Sequence, residues 1–399
     1  MTNSRISIVS AALVVTACLL PRESEAQSIA QRVQSVRDGK VRMTYASRPD
    51  LCGWGYGIGN TNDNIWNRGR GSFNSSDRSD DVTFDDDCVR GPVRLVITKR
   101  DGDIDRIRAY IGGRWRDTPN TTDLGQVSAR DAVDYLFDVA NSGRGRGAHE
   151  AVFPTTLADS VNVTQRLYDL ARNDTRDEST REQAIFWLGQ QGNDDRAVDL
   201  LETILRSSRS ENIRDKAIFA LSQHRSGKGF AILREYAEDR NAPEDLRGKA
   251  IFWLGQRKGE ERFNYLRGLY TRLESQDLKD KVIFAMSQQK DEQSMQWLVD
   301  LASNSGESIE MRKKALFWAG QSSNSSDRLV SMYDRIRESE LKEQMIFVLS
   351  QRRDRQALDK LMSIVRNDPD REMRRKAMFW LGQSKDPRVS AFLTDIISR

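Results

Sequence analysis

The side chains best suited to catalysis are sparse in this sequence of 399 residues. It contains two histidines, His149 and His224, which lie far apart in the chain. A metal centre built on histidine ligands is therefore not expected. His149 is followed by Glu150, but no serine or cysteine can be assigned to the pair as a nucleophile. Such a pair is typical of a surface or capping position.

Two further segments contain residue types that bind phosphate or metal ions. Glycine alternates with other residues over 53–59, but no strand, turn and helix surround it in the order that a dinucleotide site requires. Asp85, Asp86 and Asp87 precede Cys88 and could hold calcium, but they lack the spaced ligands of a calcium loop, which favours a solvated acidic turn. We expect no catalytic residue, no metal and no cofactor.

The composition is that of a folded, highly charged protein. Lys and Arg number 63 and Asp and Glu 59, so the formal net charge is +4. Eight Trp, fourteen Phe and nine Tyr supply apolar surface for a core, which argues against a disordered chain. Because the charges nearly balance, we expect neither nucleic acid nor an anionic membrane surface as a partner.

The first 26 residues have the organisation of an export signal. Arg5 lies in a polar start, an apolar run covers 6–20, and 24–26 (Ser-Glu-Ala) resembles a cleavage site. The alternatives are a lipobox over 15–18, which would make Cys18 a lipid anchor, and a buried first helix. We expect an exported protein of the periplasm or cell envelope, or else a lipoprotein, with no membrane span in the rest of the chain.

Cys52 and Cys88 are the cysteines that follow the signal. Two thiols in an oxidising compartment most often pair. The loop that they would close is rich in Gly, Asn, Ser and Asp, which offer little packing to hold it otherwise. We expect a disulfide that stabilises the fold by about 3 to 4 kcal/mol in the chain-entropy description.

Residues 27–125 are predicted to form a small β-containing amino-terminal domain. Its clearest element is a hairpin of 93–97 and 104–111, in which apolar and charged residues alternate on both sides of Asp101 and Gly102.

A helix and a linker are expected over 126–160. Ser128 caps an amphipathic helix over 129–141, and the Gly/Arg segment 143–147 has the composition of a linker.

From about residue 161 the chain repeats itself. A ten-residue segment recurs seven times, and its terminal Gln returns every 30 to 33 residues. A repeat of that size holds two helices and two turns. We expect 161–399 to be an all-α solenoid of seven two-helix repeats, capped by an amphipathic helix over 387–398. The copies are REQAIFWLGQ (181–190), RDKAIFALSQ (214–223), RGKAIFWLGQ (247–256), KDKVIFAMSQ (279–288), RKKALFWAGQ (312–321), KEQMIFVLSQ (342–351) and RRKAMFWLGQ (374–383).

This tandem pattern resembles HEAT and HEAT-like repeats, in particular those of exported bacterial HEAT-repeat proteins and of phycobilin lyases. The resemblance covers about 161–399, and the amino-terminal domain resembles the leader domain of the exported group. It implies a HEAT-like α-solenoid whose second helices line a concave face, and a protein-binding role. HEAT-like deoxyhypusine hydroxylases carry repeated His-Glu pairs, whereas this chain has only His149-Glu150. Phycobilin lyases have HEAT-like repeats without a metal, so a phycobilin-lyase-like activity is excluded less firmly. Export argues against it, because it would separate the enzyme from its chromophore substrates.

A helical wheel of the copy at 247–256 separates two stripes. At about 100° per residue, Leu246, Ala250, Trp253 and Leu254 share one direction and are predicted to form the core stripe. Asp245, Lys249, Phe252 and Gln256 share another direction, well away from the first. This second stripe recurs in every copy, as Phe186 and Gln190; Lys216, Phe219 and Gln223; Lys249, Phe252 and Gln256; Lys281, Phe284 and Gln288; Lys314, Phe317 and Gln321; Phe347 and Gln351; and Lys376, Phe379 and Gln383.

The second stripe is our candidate binding surface. Glutamine amides both donate and accept hydrogen bonds, so a row of them can bind the backbone of an extended peptide, while Phe supplies apolar contacts between them. The pattern favours a structural interpretation, in which Phe fills the seam between repeats and Gln ties adjacent repeats together. Both interpretations stay open from the sequence.

Two other regularities run through the copies. Trp alternates with a smaller residue, so large side chains are expected to face small ones across each interface; an aromatic track for carbohydrate is the alternative. The first position of every copy is basic, where a salt-bridge ladder between repeats is favoured over a groove for an acidic partner. The alternating residues are Trp187, Ala220, Trp253, Ala285, Trp318, Val348 and Trp380, and the basic ones are Arg181, Arg214, Arg247, Lys279, Arg312, Lys342 and Arg374.

The sequence thus predicts an exported scaffold that binds a protein or peptide partner reversibly on the concave face of its solenoid, without enzymatic activity. The alternatives are an enzyme or ligand sensor whose site lies in the amino-terminal domain, between the Gly-rich loop and the hairpin, and a phycobilin-lyase-like HEAT-repeat enzyme.

Overall fold

The computed structural model describes residues 27–54, 57–60, 81–84, 88–192, 194–256, 260–289, 291–321, 326–352 and 354–398. The predicted export signal, the alternative anchor at Cys18 and the acidic run Asp85, Asp86 and Asp87 lie outside the described residues. The chain divides into two compact units, Met1–Tyr135 and Leu136–Arg399.

The first compact unit is built around a small sheet. Its described elements are α1 (Ile29–Gln34), β1 (Gly39–Tyr45), β2 (Leu51–Trp54), β3 (Gly57–Asn60), β4 (Val82–Thr83), β5 (Val93–Arg100), β6 (Asp103–Ile111), β7 (Arg114–Trp115) and β8 (Thr121–Gln126). The main sheet has the order β6-β5-β1-β8, in which β1 runs antiparallel to β5 and parallel to β8. Two short antiparallel ladders join β2 to β3 and β4 to β7.

The predicted hairpin is confirmed as β5 and β6. Asp101 and Gly102 both have positive φ, 55° and 90°, as a two-residue turn that matches the twist of the strands requires. The alternation places one side of the sheet in the core, where Val41, Met43 and Leu95 are fully buried.

The two remaining cysteines pair as the sequence predicts. Cys52 lies in β2 and forms a disulfide with Cys88, with a Cα–Cα distance of 4.9 Å. The residues beside them, Gly53 and Val89, exchange two backbone hydrogen bonds of 2.9 and 2.8 Å. The disulfide and this bridge therefore hold β2 against the segment around residue 89.

The rest of the chain is helical. The described helices are α2 (Ala129–Ser142), α3 (Gly145–Thr155), α4 (Thr164–Arg172), α5 (Glu178–Gly189), α6 (Asp195–Ser207), α7 (Glu211–Gln223), α8 (Lys228–Glu238), α9 (Glu244–Gln256), α10 (Glu260–Arg272), α11 (Gln276–Ser287), α12 (Glu292–Ser303), α13 (Ile309–Gly320), α14 (Ser326–Tyr333), α15 (Ser339–Ser350), α16 (Arg355–Asn367), α17 (Arg371–Gly382) and α18 (Pro387–Ile397). Ser128 caps α2 as predicted, through a 3.0 Å bond from the backbone N–H of Asp131. The predicted linker 143–147 is in part helix, because α3 begins at Gly145.

From α4 onward the helices pack in consecutive pairs. The first helices are α4, α6, α8, α10, α12, α14 and α16, and each packs on the helix that follows it. The second helices, α5, α7, α9, α11, α13, α15 and α17, carry the recurring segment and also pack on one another in order. Local sequence sets where they start: Ser210, Ser275 and Ser308 precede α7, α11 and α13 and accept a backbone N–H from inside the helix.

The buried residues of α9 differ from those that the helical wheel predicts. Leu246, Ala250 and Leu254 are buried as predicted. Trp253 is only half-buried, so its assignment to the core stripe is wrong, and the fully buried Ile251 was missed. A second helix is covered by its own first helix and by a second helix on each side. Its buried arc is therefore wider than one stripe and extends past position 251, while Trp253 lies at the seam with the preceding second helix, where its ring contacts Phe219.

No helix in the described part of the chain combines the length and the apolar character needed to cross a membrane.

Candidate functional site

Aromatic rings of successive second helices lie in contact from α5 to α13 and again from α15 to α17. We call this set the aromatic row; it comprises Phe186, Trp187, Phe219, Phe252, Trp253, Phe284, Phe317, Trp318, Phe347, Phe379 and Trp380. Phe219 and Trp253, which belong to neighbouring helices, have ring centroids 5.0 Å apart, and Phe252 contacts Trp253 in its own helix at 5.1 Å. The row begins against α3, where Phe153 stacks on Trp187 at 4.6 Å.

The interfaces between second helices are of two alternating kinds. We call α5, α9, α13 and α17 Trp-type helices, because they carry Trp followed two residues later by Gly, and α7, α11 and α15 small-type helices, because Ala or Val replaces that Trp. Where a Trp-type helix precedes a small-type helix, its Gly touches the small residue: a Cβ added at Gly189 would lie 2.8 Å from that of Ala220, and one at Gly255 would lie 2.6 Å from that of Ala285.

Aromatic contacts follow the same alternation. At the close interfaces of α5 with α7 and of α9 with α11, the Phe rings stack nearly parallel, with 6.3 Å between Phe186 and Phe219 and an interplanar angle of 11°. Where a small-type helix precedes a Trp-type helix, Phe meets Trp instead, as in Phe284 and Trp318 at 5.0 Å and 63°. The prediction that large side chains face small ones across each interface is therefore wrong: small faces small at one kind of interface, and aromatic faces aromatic at the other.

The exposure of the Phe side chains is compatible with both a binding surface and a filled seam between repeats. Phe186 is 37% exposed and Phe379 60%, whereas Phe219, Phe252, Phe284, Phe317 and Phe347 are half-buried. Each Phe thus fills part of a seam and also presents part of its ring to solvent. A half-exposed row of rings that is unbroken from α5 to α13 offers apolar contact over several repeats.

The lysines of the stripe are paired across repeats. The Nζ atom of Lys216 lies 3.4 Å from a carboxylate oxygen of Glu182, that of Lys249 lies 3.1 Å from Asp215, and that of Lys314 lies 2.7 Å from Asp280. Lys376 pairs with Glu343 in the same way. At Lys281 the facing residue is Gly248, which has no side chain to offer. One edge of the aromatic row is therefore lined by charges that are mostly neutralised.

The terminal glutamines line the other edge of the row. Gln223, Gln256, Gln288, Gln321, Gln351 and Gln383 are exposed, and Gln190 is half-buried. In the small-type helices the Nε2 atom of the Gln donates to the preceding Ser of its own helix, for example Gln288 to Ser287 at 3.2 Å. The next residue connects the repeats instead: Gln289 donates to the carbonyl of Gly255, and Arg352 donates to that of Gly320 at 2.8 Å.

The basic first position of each copy has a structural role. The Nε atoms of Arg181, Arg247 and Arg312 donate to the carbonyls of Ala171, Ala237 and Ala302, at the ends of the first helices α4, α8 and α12. These bonds satisfy carbonyl groups that a helix end leaves without a partner.

Part of this series also forms the predicted ion pairs between repeats. Arg312 pairs with Glu338 at 2.6 Å, Lys279 with Glu307 at 3.6 Å, and Lys342 with Asp368 at 3.2 Å.

Sequence reasoning missed the tyrosines that complete two of these pairs. Tyr270, near the end of α10, donates to Glu307 at 2.9 Å, and Tyr333 of α14 donates to Asp368 at 2.8 Å. Burial alone would raise the pKa of Glu307, but hydrogen bonds from the Ser308 N–H and Tyr270, together with Lys279, hold it below its usual value. The recurrence of Tyr near the end of several first helices was the signal available in the sequence.

A cavity of about 300 Å³ lies at the amino-terminal ends of three second helices. Its lining includes Glu211, Glu244, Asp245, Asp277 and Lys281. Carboxylates at these positions are stabilised by the positive end of the helix dipole, which accounts for the cluster. Among the described residues, no group of three or more His, Cys, Asp or Glu is arranged to hold a metal ion.

The paired helices, stacked in order from α4 to α17, define an α-solenoid. A family model of HEAT repeats matches residues 164–244 and 326–399, so the solenoid contains HEAT repeats. No curated protein matches the chain.

Several solved structures are similar to the chain. The archaeal HEAT-like repeats protein from Thermococcus onnurineus is 14% identical, covers 60% of this chain and 100% of its own, and has a TM-score of 0.31. The complex of CpcE and CpcF of phycocyanin lyase from Nostoc sp. is 15% identical, over 59% of this chain and 95% of its own, with a TM-score of 0.29. Human deoxyhypusine hydroxylase is 16% identical, over 64% and 96%, with a TM-score of 0.28. TM-scores of this size support no inference about activity.

Proposed function

We propose that this protein is an exported scaffold of seven two-helix HEAT-like repeats that binds an extended segment of a partner protein along its second helices. The observation that carries the proposal is the half-exposed aromatic row, whose ring contacts run unbroken from α5 to α13. It is bordered by exposed glutamine amides on one edge and by ion-paired lysines on the other. The role is binding without chemistry.

The position of the row suits an extended ligand. Successive second helices contact one another more extensively than successive first helices do, which is the arrangement of a solenoid that curves with its second helices inside. An extended polypeptide has backbone donors and acceptors at regular intervals. The Gln amides can meet both, while the rings contact its apolar side chains.

The charge pattern favours a partner whose contact segment is nearly neutral. Lys216, Lys249 and Lys314 already have carboxylates within 3.4, 3.1 and 2.7 Å, so binding an acidic ligand would require breaking these pairs. A partner with an acidic contact segment is therefore disfavoured on this face.

Photocrosslinking followed by a binding measurement tests the proposal. A photoreactive residue at Phe252 or Phe317 in intact cells should capture a recurrent protein partner. The purified partner should then bind the triple variant Gln256→Ala, Gln288→Ala and Gln321→Ala at least about tenfold more weakly, because each lost amide removes hydrogen bonds to the ligand backbone. These amides are exposed, so the stability of the fold should change little.

The matched control removes three amides from first helices. Asn264, Gln296 and Gln356 lie on α10, α12 and α16, and their replacement by Ala should leave partner binding unchanged. Equal weakening by both triple variants, or no recurrent partner captured by well-folded protein, would contradict the proposal and direct attention to the amino-terminal unit.

Export is tested by a separate experiment. Removing residues 2–26 should keep the protein in the cytosolic fraction, and an unchanged distribution would contradict export.

A further inference from the structure

The outward face of the last second helix, α17, is exposed. Met378 and Phe379 are 39% and 60% exposed, and the Cβ position of Gly382 has no neighbour within 4 Å. In the preceding copies the residue equivalent to Met378 is buried, and the glycines equivalent to Gly382 contact Ala or Val of the next second helix. The equivalent buried residues are Ile185, Ile218, Ile251, Ile283, Leu316 and Ile346.

The closing helix does not cover this face, contrary to the predicted cap over 387–398. Helix α18 lies against α16: Arg388 pairs with Asp359 at 3.1 Å, Arg366 pairs with Asp395 at 3.3 Å, and the Arg366 guanidinium lies over the ring of Phe392. Helix α18 therefore lies where the first helix of an additional repeat would lie. The place of the second helix of that repeat, beside α17, is empty among the described residues.

The opposite end of the stack is covered. Phe153 of α3 stacks on Trp187 of α5, where a preceding second helix would place its own Phe. The two ends of the row thus differ: one is closed by a helix that is not a copy of the repeat, and the other presents an apolar face made to receive a helix.

The charged residues beside this face are arranged as at an interface inside the stack, except that one of the two carboxylates is missing. In α13, Lys313 pairs with Glu310 of its own helix and with Glu340 of the next second helix, at 3.4 and 3.8 Å. In α17 the equivalent Arg375 pairs with Glu372 of its own helix at 2.6 Å. The carboxylate that the next helix would supply has no counterpart in the described chain.

We propose that this face binds an acidic amphipathic helix of another protein, which docks as an additional second helix. The bound helix places a small residue against Gly382, an aromatic or large aliphatic residue against Phe379, and a carboxylate beside Arg375. This site lies at the end of the stack and is distinct from the aromatic row of the proposed function.

A second copy of this chain fits less well. Helix α17 carries four basic residues, Arg371, Arg374, Arg375 and Lys376, and one acidic residue, Glu372. Lys376 pairs with Glu343 of α15, and Arg374 donates to the carbonyls of Asp368 and Pro369, so these two lie away from the face. Arg371 and Arg375 share the direction of Phe379 on a helical wheel. Two such helices face to face would bring four cations together, and like charges at close range oppose association. An acidic helix has the opposite charge and meets the same apolar surface.

A stapled helical peptide that copies residues 338–352 is the probe. It reproduces α15, the small-type helix that follows the basic Trp-type helix α13, and it carries Glu338, Glu340 and Glu343. Fluorescence anisotropy with the full chain should show saturable binding. Gly382→Leu should weaken it by at least about tenfold, because the added side chain prevents close approach of the helices.

Two controls make the test specific. Ser384→Leu, an exposed substitution next to the face, should leave binding unchanged, which separates loss of close approach from general effects of an added leucine. Arg375→Glu should abolish binding of the peptide, and a peptide with Glu340→Lys should restore it to the variant.

Three results would overturn the proposal. These are the absence of saturable binding, binding that is indifferent to both Gly382→Leu and Arg375→Glu, and concentration-dependent self-association of the chain that Gly382→Leu removes. The last result would assign the face to a second copy.

Discussion

The two kinds of interface between second helices are held together by different contacts. Where a Trp-type helix precedes a small-type helix, Gly against Ala brings the backbones together, as at Gly255 and Ala285. Where the order is reversed, the helices meet through rings, as at Phe219 and Trp253. The structural period is therefore two repeats, in step with the alternation of Trp with Ala or Val in the sequence.

This difference shows how the aromatic row is built. The close interfaces of α5 with α7 and of α9 with α11 hold adjacent Phe rings in parallel stacks, with 6.2 Å between Phe252 and Phe284. The ring interfaces place a Trp between one Phe and the next. Both kinds contribute to the unbroken ring contacts from α5 to α13, so the stability of the stack and the shape of the candidate binding surface depend on the same residues.

Adding volume at a close interface should have the largest effect. Gly255→Leu should lower the free energy of unfolding by about 3 kcal/mol, because a Cβ alone would lie 2.6 Å from that of Ala285 and the backbones must separate. Urea denaturation followed by circular dichroism measures the change. Gly382→Leu is the matched control at the same position of α17, where there is open space, and it should not lower stability. Equal losses in both variants would mean that the close contact does not stabilise the stack.

Removing a ring at the other kind of interface should cost somewhat less. Trp253→Ala should lower the free energy of unfolding by about 2 kcal/mol, since the side chain is half-buried and leaves only part of a cavity. A double-mutant cycle with Phe219→Ala should give a coupling energy of about 1 kcal/mol, the size expected for an aromatic pair. Additive effects of the two substitutions would show that the rings touch without stabilising each other.

The sequence predicted the solenoid because seven copies of one segment leave little freedom for the fold, and it predicted the hairpin because Asp101-Gly102 specifies the turn. It also predicted that Lys249, Phe252 and Gln256 share one face, since helical spacing alone determines that. The half-exposure of Trp253, the pairing of Lys249 with Asp215 and the uncovered face of α17 depend on the neighbouring helix. A wheel of a single helix contains no neighbour, so these features could not be read from it.

His224 lies at the end of α7, a small-type helix, and is 2% exposed. Burial lowers the pKa of its imidazole, although Asp194 and Asp195 act in the opposite sense. A histidine with a lowered pKa binds its proton more readily in the unfolded chain. The free energy of unfolding should therefore decrease as the pH falls below about 6.5, the ordinary value of a histidine. Denaturation at pH 7 and pH 5 should show a smaller difference in His224→Gln than in the wild type, and an equal difference would assign the pH dependence to other groups.

The ion pairs beside the row should contribute least. Lys314 and Asp280 are 2.7 Å apart, but both side chains are about one-third exposed, so solvent screens their attraction and ordering two flexible chains offsets part of it. A double-mutant cycle with Lys314→Met and Asp280→Asn should give a coupling energy of about 0.5 kcal/mol that declines in 1 M salt, where the screening length is about 3 Å. The aromatic cycle of Trp253 and Phe219 should keep its coupling at the same salt concentration, because it depends on packing. If the two couplings were equal in size and in salt dependence, the charges would hold the stack as much as the rings do.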